Sequence, residues 1–308
     1  MNPTVSVVIA TYNKADTLAD AISSVLRQTY RDFEILVVDD GSTDDTAQRV
    51  KAYGDKIRYL PKKNGGTGSA RNLGIAQARG RFVAFLDGDD LWLPRKLELQ
   101  MEAFDRESNL SAVQCSAYTV DPSLRVIELR RCTPDQDTLL DFLLFRNLPA
   151  FASCVVIRKE VLKSAGGFGT HLVILSDWDM CCRLARAGRI RSLREPLVLY
   201  RQYPNNQSRS VEIHLWSGVR SLRRFFADPT LEPEIRRCQR RVWARFYAML
   251  AGGHARNGDW GEALSWACKA LRTSAAVIPY MAGMPARRIR KALTSPRRLS
   301  FAQMASQG

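Results

Sequence analysis

The run Phe82-Val83-Ala84-Phe85-Leu86 stops abruptly at Asp87-Gly88-Asp89-Asp90 and then meets Leu91-Trp92-Leu93-Pro94. It is continuous rather than alternating, which suits a strand covered on both faces, and such strands belong to parallel sheets with helices on either side. Ligands of open α/β sheets gather beyond the carboxyl ends of the strands. The acids therefore stand where a ligand is expected. Three like charges within four positions repel one another, and a hard divalent cation relieves that repulsion. Mg2+ or Mn2+ takes one or two carboxylates together with substrate phosphates. Asp87 and Asp89, with Gly88 turning the backbone between them, thus predict a metal site whose co-ligand is a diphosphate. Taken alone, an Asp-X-Asp is better read as an acidic turn, with Asp90 capping the helix that begins near Pro94.

Three further strands precede this one. Residues 4–10 read as the first, ending at Thr11-Tyr12-Asn13-Lys14, and Leu18, Ile22, Val25 and Leu26 then recur at helical spacing. Residues 33–38 form the second, broken by Asp39-Asp40-Gly41-Ser42-Thr43-Asp44-Asp45. Ser42 or Thr43 is expected to cap the next helix, with Asp44 and Asp45 complementing its dipole. That leaves Asp39 and Asp40 at a second strand end, facing the same edge as Asp87. Residues 57–60 are the third strand, and Asn64-Gly65-Gly66-Thr67-Gly68-Ser69-Ala70-Arg71-Asn72 leads into a helix. Arg71 stands where a dinucleotide fingerprint has glycine, and the segment follows the third strand rather than the first, which excludes a Rossmann cofactor site. A glycine-rich turn at a helix N-terminus can receive a phosphate, with Arg71 adding a cation; a tight turn with a surface arginine fits equally. Four strand-then-helix units predict an α/β fold with right-handed crossovers.

In order along the chain, Ser6-Val7-Val8-Ile9-Ala10-Thr11-Tyr12-Asn13, Gln28-Thr29-Tyr30-Arg31-Asp32-Phe33-Glu34-Ile35, Val38-Asp39-Asp40-Gly41-Ser42-Thr43-Asp44, Asn64-Gly65-Gly66, Ala70-Arg71-Asn72 and Phe85-Leu86-Asp87-Gly88-Asp89-Asp90 together resemble a family 2 glycosyltransferase. The resemblance covers residues 4–210 and implies the GT-A fold, a Rossmann-like, mostly parallel sheet with flanking helices. It implies a nucleotide-sugar donor lying against Ala10, Thr11, Tyr12, Gly88 and Arg71, with the base held by Asp40. Asp87 and Asp89 become the Asp-X-Asp motif, Asp89 being the metal ligand proper, with Mn2+ or Mg2+ as cofactor. A carboxylate at Asp40 accepts the N3–H of uracil or thymine, so UDP or dTDP is preferred.

The second half of this region is expected to bind the acceptor. Strands are predicted at 112–118, 124–129 and 154–157, a helix across 139–145 and a turn at Gly166-Gly167-Phe168. Met180, Leu184 and Ala187 then give a helix its buried face. Asp177, near the start of that helix, reads as a cap. The resemblance instead maps it onto the family's Glu-Asp-X-Asp segment as catalytic base, with Ser176 in place of the glutamate. A base there implies inversion in one displacement. Residues 200–208 resemble the loop that closes over the donor, with Tyr203 where many relatives carry a histidine. The Gln-X-X-Arg-Trp signature of processive synthases is absent, which implies one sugar per encounter.

Seven cysteines without a Cys-X-X-Cys suit reduced thiols, and three scattered histidines argue against a histidine metal site. No apolar run reaches the roughly 18 residues of a membrane span; the expectation is a cytoplasmic protein. Charge divides the chain: residues 1–211 carry a net +4 and residues 212–308 a net +11. Three regions follow, a catalytic domain over 1–210, a helical extension over 211–275 and a basic tail over 276–308. The extension is expected as helices over 211–227 and 231–255 and a third from Asn257. The stretch from Asn257 through Leu271 is similar to the second half of a tetratricopeptide unit; one such unit cannot form a solenoid, and a helical hairpin packed on the catalytic domain is expected. The tail holds six basic residues and no acid, a pattern for an anionic membrane surface or for a solvated, partly disordered segment. The acceptor is expected to be a carbohydrate or lipid-linked. Nucleic acid is not expected, because no recognition motif accompanies the charge. A catalytically silent scaffold recruiting partners through its tail would tolerate loss of Asp40, Asp89 and Asp177, and all three are present.

Overall fold

The amino-terminal half is built by alternation. β1 (Val5–Thr11), β2 (Phe33–Asp39), β3 (Arg58–Pro61) and β4 (Phe82–Asp87) lie parallel in the order β3-β2-β1-β4. They are linked by α1 (Ala15–Leu26), α2 (Thr46–Lys51) and α3 (Thr67–Gln77). The computed structural model describes residues 2–133, 138–146, 152–170, 172, 174–203 and 210–283. Residues 204–208 of the expected closing loop and 284–308 of the basic tail lie outside them.

Beyond β4 come β5 (Leu91–Trp92), α4 (Lys96–Arg106), β6 (Leu110–Val120), β7 (Val126–Arg130), α5 (Leu139–Leu143), β8 (Val155–Arg158), α6 (Lys159–Ser164), α7 (Ser176–Ala187) and β9 (Arg189–Arg201). β8 pairs antiparallel with both β4 and β6, while β9 pairs parallel with β6 and antiparallel with β5. The sheet is therefore mixed, parallel in its first half and reversed at β8.

The strands alternate between two apolar layers, as a pleat requires. Val5, Val7 and Ile9 pack with Leu18, Ile22 and Val25 of α1 and Leu97, Met101 and Phe104 of α4. Val8 faces the opposite layer with Ala70 and Ile75 of α3 and Trp178, Met180 and Leu184 of α7. A Cβ on Gly74 would lie 2.3 Å from a Val8 methyl, so glycine there lets α3 sit close to β1. Met180 and Leu184 are buried as expected, whereas Ala187 is exposed at the helix end.

The carboxyl-terminal helices are α8 (Val211–Ala227), α9 (Pro233–Arg237), α10 (Gln239–Asn257), α11 (Trp260–Thr273) and α12 (Ile278–Ala282). The single helix expected over 231–255 is interrupted at Cys238, whose ψ of −5° departs from the helical value. After the extended Ser274, a 3-10 turn over Ala275–Val277 with Val277 buried leads into α12. α10 packs directly against the core beside the sheet: Phe246 and Trp178 flank Phe145, with ring centroids 6.1 and 4.5 Å from it. α10 and α11 form a hairpin around Ala244, Ala248 and Ala270.

Candidate active site

Register places the acids. Ala10 and Thr11, the last residues of β1, pair with Asp87 of β4 and Asp39 of β2. The crossovers reverse direction between β1 and β4, so this edge is the switch point at which such sheets bind ligands. A cleft of about 450 Å³ opens there. Ala10, Thr11, Tyr12, Asp40, Asp87, Gly88 and Asp89 line it, joined by Tyr200 and Arg201 of the expected closing loop and by Asn13, Lys14, Thr67 and Ala70, which sequence reasoning did not assign to the site. Lys14 had a signal, a cation directly after a strand end that faces Asp87. Tyr200 and Arg201, expected at the start of the closing loop, end β9 instead, and the long-range pairing of that strand with β6 brings them to the cleft. The Thr11 hydroxyl is buried with no hydrogen-bond partner among the described residues, and it borders the cleft. A Cβ on Gly88 would come within 2.8 Å of that hydroxyl, so glycine keeps this wall open.

The two acids after β2 are anchored differently. Asp39 accepts from Tyr59 Oη at 2.6 Å and from the Ser42 amide at 2.9 Å. Asp40 receives Lys62 Nζ at 2.6 Å and the amides of Gly65 and Gly66 at 3.0 and 2.7 Å. The glycine-rich turn considered for a phosphate therefore spends these two amides on Asp40. Oδ1 takes two of the donors and Oδ2 one, which leaves Asp40 acceptor capacity for one more. The cap considered for Ser42 or Thr43 does not form. Ser42 Oγ accepts from the Asn13 amide, while Asp44 accepts from the amides of Thr46 and Ala15 and so ties the starts of α1 and α2 together.

Arg71 lies behind the cleft, buried, rather than on the surface or in the lining. Its Nη2 donates to Asp87 Oδ1 and its Nη1 to Asp177 Oδ1, both at 2.7 Å. One guanidinium thus joins a carboxylate at the end of β4 to one at the start of α7. Burial alone would lower the Arg71 pKa; Asp87 and Asp177 outweigh it and raise it. Asp177 Oδ2 accepts from the Ala152 amide at 2.9 Å, and no side-chain cap bond forms at the start of α7. Next to Ala152, Ser153 Oγ accepts from the Asp87 amide and donates to Asp90. The circuit Asp87–Arg71–Asp177–Ala152–Ser153–Asp87 is closed. Asn72 exchanges two hydrogen bonds with the backbone of Phe168, and the Phe168 ring lies 5.1 Å from the Arg71 guanidinium. A Cβ on Gly167 would fall 2.6 Å from Asn72 Oδ1, and its φ of +67° also favours glycine. These contacts account for the Ala70-Arg71-Asn72 and Gly166-Gly167-Phe168 segments.

Asp90 is fully buried and caps no helix; it accepts from Ser153 Oγ and, at 3.0 Å, from the Arg201 amide, tying the acidic turn to the end of β9. Burial, with Asp89 and Asp87 nearby, raises its pKa well above the ordinary carboxyl range. Asp89 is raised too, by burial first and by Asp87, although Lys14 Nζ lies 2.6 Å away and opposes the shift. The cluster holds more negative charge than Lys14 and Arg71 offset, and its ligands are hard oxygens. Arg71 occupies only Oδ1 of Asp87. Those properties fit a divalent cation held by Asp87 and Asp89.

The sequence matches the family described as glycosyl transferase family 2 over residues 6–166. It is 35% identical over 229 residues to an uncharacterized glycosyltransferase of Rickettsia prowazekii, covering 70% of this chain and 71% of that protein. Over 99 residues, 32% of this chain and 39% of the relative, it is 44% identical to the UDP-Glc:alpha-D-GlcNAc-diphosphoundecaprenol beta-1,3-glucosyltransferase WfgD of Escherichia coli. The fold is similar to that of residues 1–349 of S. aureus TarS, solved in complex with UDP-GlcNAc. The TM-score is 0.63 at 21% identity, covering 94% of this chain and 89% of that one.

Proposed function

This chain belongs to glycosyl transferase family 2, and we propose that it moves one sugar from a UDP- or dTDP-sugar to a hydroxyl of a carbohydrate or lipid-linked acceptor, inverting the anomeric carbon. The observation that carries this reading is the Arg71 bridge, because it fixes a candidate base, Asp177, relative to the acidic turn that closes the donor cleft. The UDP-linked ligand of TarS and the UDP-Glc donor in the name of the E. coli relative support a uracil nucleotide. The diphosphoundecaprenol in that same name supports a lipid-linked acceptor in cell-surface polysaccharide or glycolipid synthesis.

Each residue has a task. Asp40, held by three donors, uses its remaining acceptor capacity for the N3–H of the base. Lys14 supplies positive charge beside Asp89 for the diphosphate. Asp87 and Asp89 would hold Mn2+ or Mg2+, which when bound neutralises the diphosphate as it leaves. Asp177 takes the acceptor proton as the oxygen attacks from the face opposite the nucleotide, and the Arg71 and Ala152 contacts keep its carboxylate oriented. The basic tail from residue 276 meets an anionic membrane surface, where a lipid-linked acceptor resides.

The test is a screen of UDP- and dTDP-sugars by nucleotide release, followed by nuclear magnetic resonance of the product linkage. Asp177→Asn is expected to lower turnover by about 10²- to 10⁴-fold while leaving donor binding intact. Wild-type turnover in that variant, or a product of retained configuration, would overturn the assignment.

A further inference from the structure

α11 turns one face to α10 and leaves another bare. Ala263 and Ala270 are buried, and the Trp266 ring sits 5.6 Å from that of Tyr247. About 100° round the helix axis from that buried face, Trp260, Leu264 and Leu271 fall within about 40° of one another. They are exposed, Trp260 by 68% and Leu264 by 66%. Cys268 lies beside them, also exposed, and Ile278 of α12 is exposed as well. Of the seven large apolar side chains exposed among the described residues, four lie between 260 and 278. Scattered exposed apolar residues need no explanation, but a stripe on one helix face does.

Charge says what covers it. Arg272 projects from the outer side of the same helix, about 100° round from the stripe, whereas Lys269 lies over the Tyr247 and Trp266 rings and Arg240 donates to the Thr273 carbonyl. The acids Asp259 and Glu262 are confined to the first turn: Asp259 caps it, and Glu262 projects roughly opposite the stripe. The sequence beyond Gly283 adds Arg287, Arg288, Arg290, Lys291, Arg297 and Arg298 without an acid. An apolar stripe headed by tryptophan, with Arg272 on the outer side of the same helix and a cationic sequence following it, matches the boundary between acyl chains and anionic headgroups.

We propose that the exposed face of α11 is a membrane-docking surface: Trp260, Leu264 and Leu271 seat in the interfacial layer of an anionic bilayer while Arg272, on the outer side of the same helix, meets lipid phosphates. This deepens, and rests on, the reading of the carboxyl-terminal region as membrane-facing, and it assigns the apolar half of that contact to folded structure rather than to the tail. It does not depend on which sugar is transferred.

The full chain is sedimented with vesicles of phosphatidylcholine alone or mixed with phosphatidylglycerol, at low and high salt. The comparison is the variant Trp260→Ser/Leu264→Ser/Leu271→Ser, whose changed side chains are all exposed. Wild type is expected to bind the anionic vesicles only, with loss at high salt and a blue shift of tryptophan fluorescence that Trp260→Phe removes. The triple variant is expected to bind about tenfold or more weakly while retaining its circular dichroism spectrum and its turnover of a soluble acceptor. Three outcomes would overturn the proposal: no binding to anionic vesicles, equal binding by the variant, or a variant that only converts an oligomer to a monomer, which gives this face to a second copy. Turnover of the soluble acceptor is a separate readout, so failed docking and failed transferase chemistry are told apart.

Discussion

Replacing Arg71 by methionine removes both 2.7 Å contacts of a buried guanidinium at once while keeping an unbranched side chain of similar reach. Hydrogen bonds to charged groups contribute about 1.5–3 kcal/mol each, so the pair gives roughly 3–6 kcal/mol before corrections. Two corrections reduce it. The carboxylates of Asp87 and Asp177 are 27% and 28% exposed, so water replaces part of what they lose. The variant is also spared the cost of burying a cation. The net expectation is a loss of about 2 kcal/mol in urea-unfolding free energy. Activity should fall further, by about 10²-fold or more, because the base is no longer oriented. Arg71→Lys, which can reach one carboxylate but not both, should fall between. Urea titrations followed by circular dichroism, with initial rates on the same preparations, give both numbers. An Arg71→Met protein within about 0.5 kcal/mol of wild type and with unaltered turnover would refute the claim that the bridge is structural and catalytic at once.

Three further outcomes are expected. Lys96 is buried, 3.8 Å from the Trp92 ring centroid, and burial pushes its pKa down to about 8 from 10.5. The folded chain then binds fewer protons than the unfolded one between those values, so this group penalises folding below pH 8 and ceases to do so as pH rises towards 10.5. Stability of wild type relative to Lys96→Met should rise by up to roughly 3 kcal/mol across that window; parallel pH profiles would contradict the shift. Gly88→Ala pushes a methyl towards Thr11 Oγ1, 2.8 Å away, and should weaken donor binding about tenfold, read by calorimetry. Gly218→Ala places a carbon 2.3 Å from the Phe246 ring and should cost about 2 kcal/mol of stability, with nucleotide affinity unchanged in the folded fraction.

What the sequence disclosed, and what it hid, has a physical pattern. Four continuous apolar runs separated by helical periodicity sufficed for the parallel half of the sheet, because each unit is local. The strand ends that carry Asp40, Asp87 and Asp89 followed from the same alternation. The partners of those acids were not legible. That Arg71 is buried between Asp87 and Asp177 depends on residues 106 positions apart meeting across the sheet. Nor does any local pattern place the Arg201 amide on Asp90. Local chemistry misled where competition decides: Ser42 and Thr43 are good caps, but Asp44 reaches the amides first. Past residue 211, helical periodicity located the helices, and the break at Cys238, where ψ alone changes, left no mark in the apolar pattern.

The most direct test is calorimetric binding of UDP, dTDP and GDP to the purified chain with and without Mn2+, repeated on Asp89→Ala. Metal-dependent binding of a uracil or thymine nucleotide, lost in the variant, is the result expected of a donor cleft between Asp40 and Asp89. A folded sample that binds no nucleotide, or that prefers GDP, would contradict it.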